Sequence, residues 1–174
     1  MRRTRWLLAL ALLAAMSACT GSPRAASVTG AGRTAAEVPT DLVPPSLVGL
    51  RTEQEDVSAL EEEAGDDSYL ASTRLWSLRE NERLRATLQI GRFVPDAGGT
   101  GEKEERDFRL RIVSQIGQTA PRLRVLGGED VYVTVANSQP VYVWFRSRLL
   151  FVLSVDKSVV EPRTLLREAL ELAE

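Results

Sequence analysis

The 174-residue chain predicts an α+β fold, an antiparallel β-sheet with helices packed against it. Three observations carry that expectation. Leu84, Ala86, Leu88 and Ile90 alternate with Arg83, Arg85, Thr87 and Gln89, the period of a strand with one buried and one wet face. Later in the chain, short β-branched and aromatic runs follow one another with turn residues between them. Other stretches carry apolar residues at helical intervals, and the two longest lie between or after the strand runs rather than alternating with each one. The expected order is roughly β-β-α-β-β-β-α.

Taken in order, Leu47–Leu50 reads as a short strand. Thr52-Glu-Gln-Glu55 has the spacing of a capping box, and Val57, Leu60 and Ala64 then recur at helical intervals up to a stop at Gly65. Tyr69 to Arg79 and Arg83 to Phe93 make a hairpin about Glu80-Asn81-Glu82. Pro95 to Gly101 is a loop. Glu102 to Ile116 reads as a helix with acids in its first turn, where the helix dipole favours them. Its apolar face is Phe108, Ile112, Val113 and Ile116, and Gly117 ends it. A short strand at Leu123–Leu126 precedes the Gly127-Gly128 turn. Val131, Val133 and Val135 then alternate with polar neighbours, Asn137 to Pro140 turns the chain, and Val141 to Arg146 returns. Leu149 to Val155 is a continuous apolar run, as expected of a strand buried on both faces. The last helix carries Pro162 in its first turn, a favoured place for proline. It turns Leu165, Leu166, Ala169, Leu170 and Ala173 to the core, and Arg163, Arg167, Glu168 and Glu171 to water.

The chain opens on a basic Met-Arg-Arg-Thr-Arg, an apolar run from Trp6 to Ala15, and then Met16-Ser17-Ala18-Cys19. That is the pattern of a secretory signal, too short in its apolar part to be taken as a membrane span. The last four residues resemble the lipobox of bacterial lipoproteins, with Met16 where members usually carry leucine. The resemblance implies a signal peptide over residues 1–18 and diacylation of the Cys19 thiol. Residues 19–45, rich in Ala, Gly, Ser, Thr and Pro, are expected to act as a tether with a reach of about 25–30 Å. One domain, 46–174, follows. Two acyl chains suffice for stable anchoring, because each buried methylene contributes about 0.8 kcal/mol. The protein is thus expected on the extracytoplasmic face of the cell membrane, with a protein of the envelope as partner.

Composition narrows the chemistry. The 22 basic and 24 acidic residues give a net charge of −2, and removing Arg2, Arg3 and Arg5 with the signal leaves 19 against 24, or −5. An acidic chain lacks the positive footprint that nucleic acid requires. There is no histidine, and the only cysteine is Cys19. Ser-His-Asp and Cys-His nucleophiles are therefore excluded, as are the usual zinc, copper and haem ligand sets. No catalytic residue, metal or cofactor is expected, and the reading is of a non-enzymatic protein.

Among candidate sites, Glu61-Glu-Glu63 with Asp66-Asp67 is the densest acidic cluster, but it lacks the EF-hand pattern and reads as a solvated helix face. Tyr142, Trp144 and Arg146 alternate with inward Val141, Val143 and Phe145, and Tyr132 is expected beside them across the turn. The four would form an interaction face of the residue types enriched at hot spots, unless a helix covers them and makes them core. Arg146 and Arg148 flank a tight turn where an anion could bind, or are simply solvated.

Val141-Tyr-Val-Trp-Phe-Arg146, Leu150-Phe-Val-Leu153, Pro162 to Leu170, Ser77-Leu78-Arg79 and Ala86 to Gln89 look similar to uncharacterised actinobacterial lipoproteins. That likeness brings no activity with it. The layout is also similar to the PsbP-like αβα sandwich, in topology only, and fold likeness does not carry function. The expected role is a non-catalytic protein-binding or accessory module of the envelope. The alternative is a carrier that holds a lipid or other apolar ligand between sheet and helix.

Overall fold

The computed structural model describes residues 37–57, 69–94, 101–159 and 161–172. The elements are β1 (Ser46–Leu47), β2 (Leu50–Glu55), β3 (Leu70–Glu80), β4 (Arg83–Phe93), α1 (Glu102–Ile116), β5 (Arg122–Leu126), β6 (Glu129–Ala136), β7 (Gln139–Arg146), β8 (Leu149–Val155) and α2 (Pro162–Leu170). All eight strands form one sheet in the order β1-β2-β3-β4-β8-β7-β6-β5. Every pairing is antiparallel. The chain lays down four strands as a meander, crosses by α1 to the far edge, and returns as a second meander that closes on β4 through β8. The fold is mixed α+β and dominated by its sheet.

Tight turns set the registers. Four hairpins turn on two residues that both have positive φ: Val48-Gly49, Asn81-Glu82, Gly127-Gly128 and Asn137-Ser138. That backbone matches the right-handed twist of the strands it joins. Val48 and Glu82 adopt it despite side chains that disfavour it.

One helix lies on each face. On the first face, Phe108, Ile112, Val113 and Ile116 of α1 pack over Tyr132, Val141, Val143, Leu150 and Val152. On the second, Leu165, Leu166, Ala169 and Leu170 of α2 join Trp76, Leu88, Ile90, Trp144, Phe151 and Leu153. At nine residues α2 is too short to persist alone. Burying its three leucines contributes about 5–9 kcal/mol as an upper bound. β8 is buried on both faces, as its unbroken apolar run foretold.

The N-terminal part differs from expectation. Val38, Leu42 and Val43 are buried in the α2-side core, so the folded domain includes residues assigned to the tether up to position 45. The Ser72 hydroxyl accepts from the Val38 amide at 3.0 Å, and Arg74 donates through Nε to the Val38 carbonyl at 2.6 Å. Thr52 does not cap a helix. It lies in β2, its amide donating to the Pro45 carbonyl at 3.0 Å and its hydroxyl to the Pro44 carbonyl. Pairing with β3 overrides the local capping pattern, and Glu53 and Glu55 instead meet Arg79 at 3.1 and 3.4 Å. Val57, the first apolar position of that predicted helix, is buried but lies in no helix. The rest of it from residue 58, with Glu61–Glu63, Asp66 and Asp67, lies outside the described residues, as do the signal peptide and Cys19.

A groove between the last helix and the outer strands

The aromatic face predicted from the sequence does not form. Trp144 has no exposed surface and stacks on Phe151 at a centroid distance of 5.0 Å beneath α2. Tyr132 pairs with Val143, which places it on the opposite face of the sheet. There it is 8% exposed, in the α1-side core. Arg146 is not available to an anion either. Its Nη2 donates to Glu129 Oε1 at 2.8 Å and to the Leu170 carbonyl at 2.7 Å, and its Nη1 to the Leu172 carbonyl at 2.5 Å. A helix leaves its last carbonyls without internal partners, and Arg146 supplies donors to that end of α2. It is a structural clamp.

Tyr142 alone of the four opens onto something. Between α2 and strands β5–β7 runs a half-open groove of about 590 Å³, within the usual range of small-molecule sites. Its walls are Arg124, Leu126 and Gly127 on one side, and Arg163, Leu166, Arg167 and Leu170 on the other, with Tyr142 between them. The helical wall follows from spacing. Residues 163, 166, 167 and 170 fall at i, i+3, i+4 and i+7, so they form one stripe of α2. The opposite wall follows from the period of two, which sets Arg124 and Leu126 on the same face of β5.

Two anchors hold α2 over the groove. Arg146 holds its C-terminal end, as described. Glu168 Oε2 accepts the Val48 amide at 2.8 Å, tying the middle of α2 to the first hairpin. The φ of +60° at Gly127 brings the β5–β6 turn in close, leaving just enough space for a Cβ, 3.5 Å from Leu170 Cδ1.

Arg124, Arg163 and Arg167 take part in none of the ion pairs found among the described residues, which engage Arg51, Arg74, Arg79, Arg85, Arg109 and Arg146 instead. Burial pushes the Tyr142 hydroxyl above its ordinary pKa, and the Arg163 charge draws it back in part. The hydroxyl is therefore a neutral donor at physiological pH. The groove combines an apolar floor with polar groups at its rim, the usual composition of a site that orients an amphiphilic ligand. No group of His, Cys, Asp or Glu that could hold a metal ion occurs among the described residues.

Arg163 and Arg167 are exposed, as the sequence predicts, but the sequence does not connect them with Leu166 and Leu170 as one wall. The signal was present in the 163-166-167-170 spacing, but only the position of β5 shows that this stripe faces a second wall. Together, fold and groove define a class: a three-layer α/β/α domain built on one antiparallel sheet, with a ligand-sized cleft under its C-terminal helix. Compared with protein-family models, with curated proteins and with solved structures, the chain matches none.

Proposed function

We propose that this protein is an extracytoplasmic lipoprotein, moored to the cell membrane by acylated Cys19, whose domain holds an apolar ligand without transforming it. The observation that carries this reading is the groove under α2, floored by Leu126, Leu166 and Leu170. A tethered domain works at high effective concentration near the membrane, which suits exchange of apolar molecules with it. The finer likeness to a PsbP-like αβα sandwich belongs to the same reading, supported by the helix on each face of the sheet.

Two measurements test it. Mass spectrometry of the mature protein should find residues 1–18 removed and a diacylglyceryl group on Cys19, and Cys19→Ser should release the chain from the membrane fraction. An uncharged fluorescent acyl ester should bind the full chain, and Leu126→Trp, which fills the groove, should weaken that binding at least tenfold. A bare thiol removes the mooring, and uptake that ignores Leu126→Trp removes the groove.

A protein-binding role is the second reading, favoured by β5. This strand forms one edge of the sheet and carries Leu123 and Val125 at 52% and 71% exposure. Free edges with apolar side chains are templates for pairing with another chain. Crosslinking from intact membranes should then capture a partner through residue 125 and lose it in Val125→Lys.

A further inference from the structure

The geometry points to a more specific occupant: a single-chain amphiphile with an anionic head, its oxyanion held by Arg124, Arg163 and Arg167 and its chain laid along Leu126, Leu166 and Leu170. This inference rests on the ligand-holding reading and deepens it by naming the head group.

The argument starts from charge. The chain is acidic overall, yet the residues that line the groove include three arginines and no acidic residue. Arg163 and Arg167 stand four residues apart on one helix face, a like-charge spacing that is unfavourable in isolation. Carboxylates are not scarce nearby in sequence, since Glu168 and Glu171 are on or beside α2. Glu168 is instead spent on the Val48 amide, and no ion pair joins Glu171 to Arg167 among the described residues. Among the described residues the arginines thus keep their donors free. All three arginines are exposed at the groove's rim, and guanidinium presents a planar fork that fits carboxylate and phosphate oxygens two at a time.

The second line of argument is the hydroxyl of Tyr142, half-buried in the groove and without a hydrogen-bond partner among the described residues. A half-buried donor left open beside the charge of Arg163 is matched by an acceptor with several lone pairs, which an anionic head supplies. A neutral ester or a cationic head would satisfy these groups poorly. The apolar floor rules out a small, fully hydrated anion as the best fit, since burying the leucines requires a hydrocarbon part.

The test uses the full chain in zwitterionic nanodiscs, with empty nanodiscs as the blank for partitioning. Three probes share one chain: 11-(dansylamino)undecanoate, its methyl ester, and the corresponding alkyl phosphate. Both anionic probes should bind at least tenfold more tightly than the ester at low salt, with the gap narrowing as salt screens the rim. The rank of carboxylate against phosphate then tells a fatty-acid source from a phosphorylated one. Arg124→Gln/Arg163→Gln/Arg167→Gln should bring the anions to the affinity of the ester and leave the ester unchanged. Tyr142→Phe should weaken the anions a few-fold. The three arginines hold no ion pair within the described structure, so the triple variant should keep the wild-type melting temperature. Equal binding of all three probes, or a preference that survives the triple variant, overturns the anionic head while leaving the apolar groove intact. Failure of every probe, ester included, overturns the groove itself and this inference with it.

Discussion

Gly117→Ala isolates one close contact between α1 and the sheet. Gly117 follows the last turn of α1 with φ −100°, a conformation alanine accepts, so backbone strain plays no part. The cost is steric. A Cβ placed there would lie 2.0 Å from Thr134 Oγ1, 2.5 Å from its Cγ2 and 2.7 Å from its Cβ. Thr134 cannot simply rotate away, because it is 2% exposed and its hydroxyl donates to the Thr119 carbonyl at 2.7 Å. The Thr119 hydroxyl accepts from the Val135 amide at 3.1 Å, and the Gln118 amide donates to the Val135 carbonyl at 2.7 Å. The new methyl must therefore move the α1–β5 connection or break this network. Overpacking costs about 1–3 kcal/mol, and leaving a buried hydroxyl or carbonyl unpaired about 1–3 more. A loss of about 2–4 kcal/mol is expected overall, seen as a lower urea midpoint with unchanged slope, followed by the fluorescence of buried Trp76 and Trp144. In a Thr134→Ala background, where Oγ1 and Cγ2 are gone, the same change should cost about 1–2 kcal/mol less. A Gly117→Ala protein within 0.5 kcal/mol of wild type, or costs that simply add in the double variant, would falsify the account of this contact.

Three further changes probe other joints. Arg146→Gln should destabilise by about 2–4 kcal/mol, since charge-assisted bonds to Glu129 and the end of α2 are lost together, and Arg146→Lys should restore little, having no fork to span them. Full recovery by lysine in a thermal melt would contradict the clamp. Val38→Ala should cost about 1.5 kcal/mol for two buried methyl groups, whereas a tether residue at that position would cost nothing measurable. Ser158→Ala acts through pH. The Ser158 hydroxyl, then its amide, hold the Asp156 carboxyl below its ordinary value of 3.8, so this contact stabilises the fold above that pH and fades as pH falls through the lowered value. The wild type should exceed Ser158→Ala by a small margin at pH 7, kept small by solvent screening, and the margin should vanish in acid. A margin that grows in acid would reverse the sign and refute it.

Elements whose residues agree locally and globally were legible. The alternation over 83–90 gave β4, acids ahead of a spaced apolar face gave α1, and Pro162 ahead of Leu165, Leu166, Ala169 and Leu170 gave α2. β2 was illegible because Thr52-Glu-Gln-Glu55 satisfies a local capping pattern, while strand formation there depends on β3, some twenty residues on. Val38, Leu42 and Val43 escaped notice for a related reason. They are isolated among small and polar residues, with no period to mark a buried face, and only contact with the sheet gives them a role.

The misplaced aromatic face has a different cause, and it was avoidable. Whether the turn after β6 takes the four residues 137–140 or the two that it does take, Tyr132 falls opposite Phe145 or Val143 and never opposite Trp144. Parity alone therefore assigns Tyr132 to the Val143 side of the sheet and Tyr142 to the other. Parity does not say which side is covered, and here both are. On the second side the groove runs between two walls, Arg124, Leu126 and Tyr142 from the sheet and Arg163, Leu166, Arg167 and Leu170 from α2. Parity puts Tyr142 on the α2 side, and the i, i+3, i+4, i+7 spacing puts the four helix residues in one stripe. Each wall is thus legible by itself, whereas their meeting depends on the strand order that brings β5 to the edge beside β6 and β7.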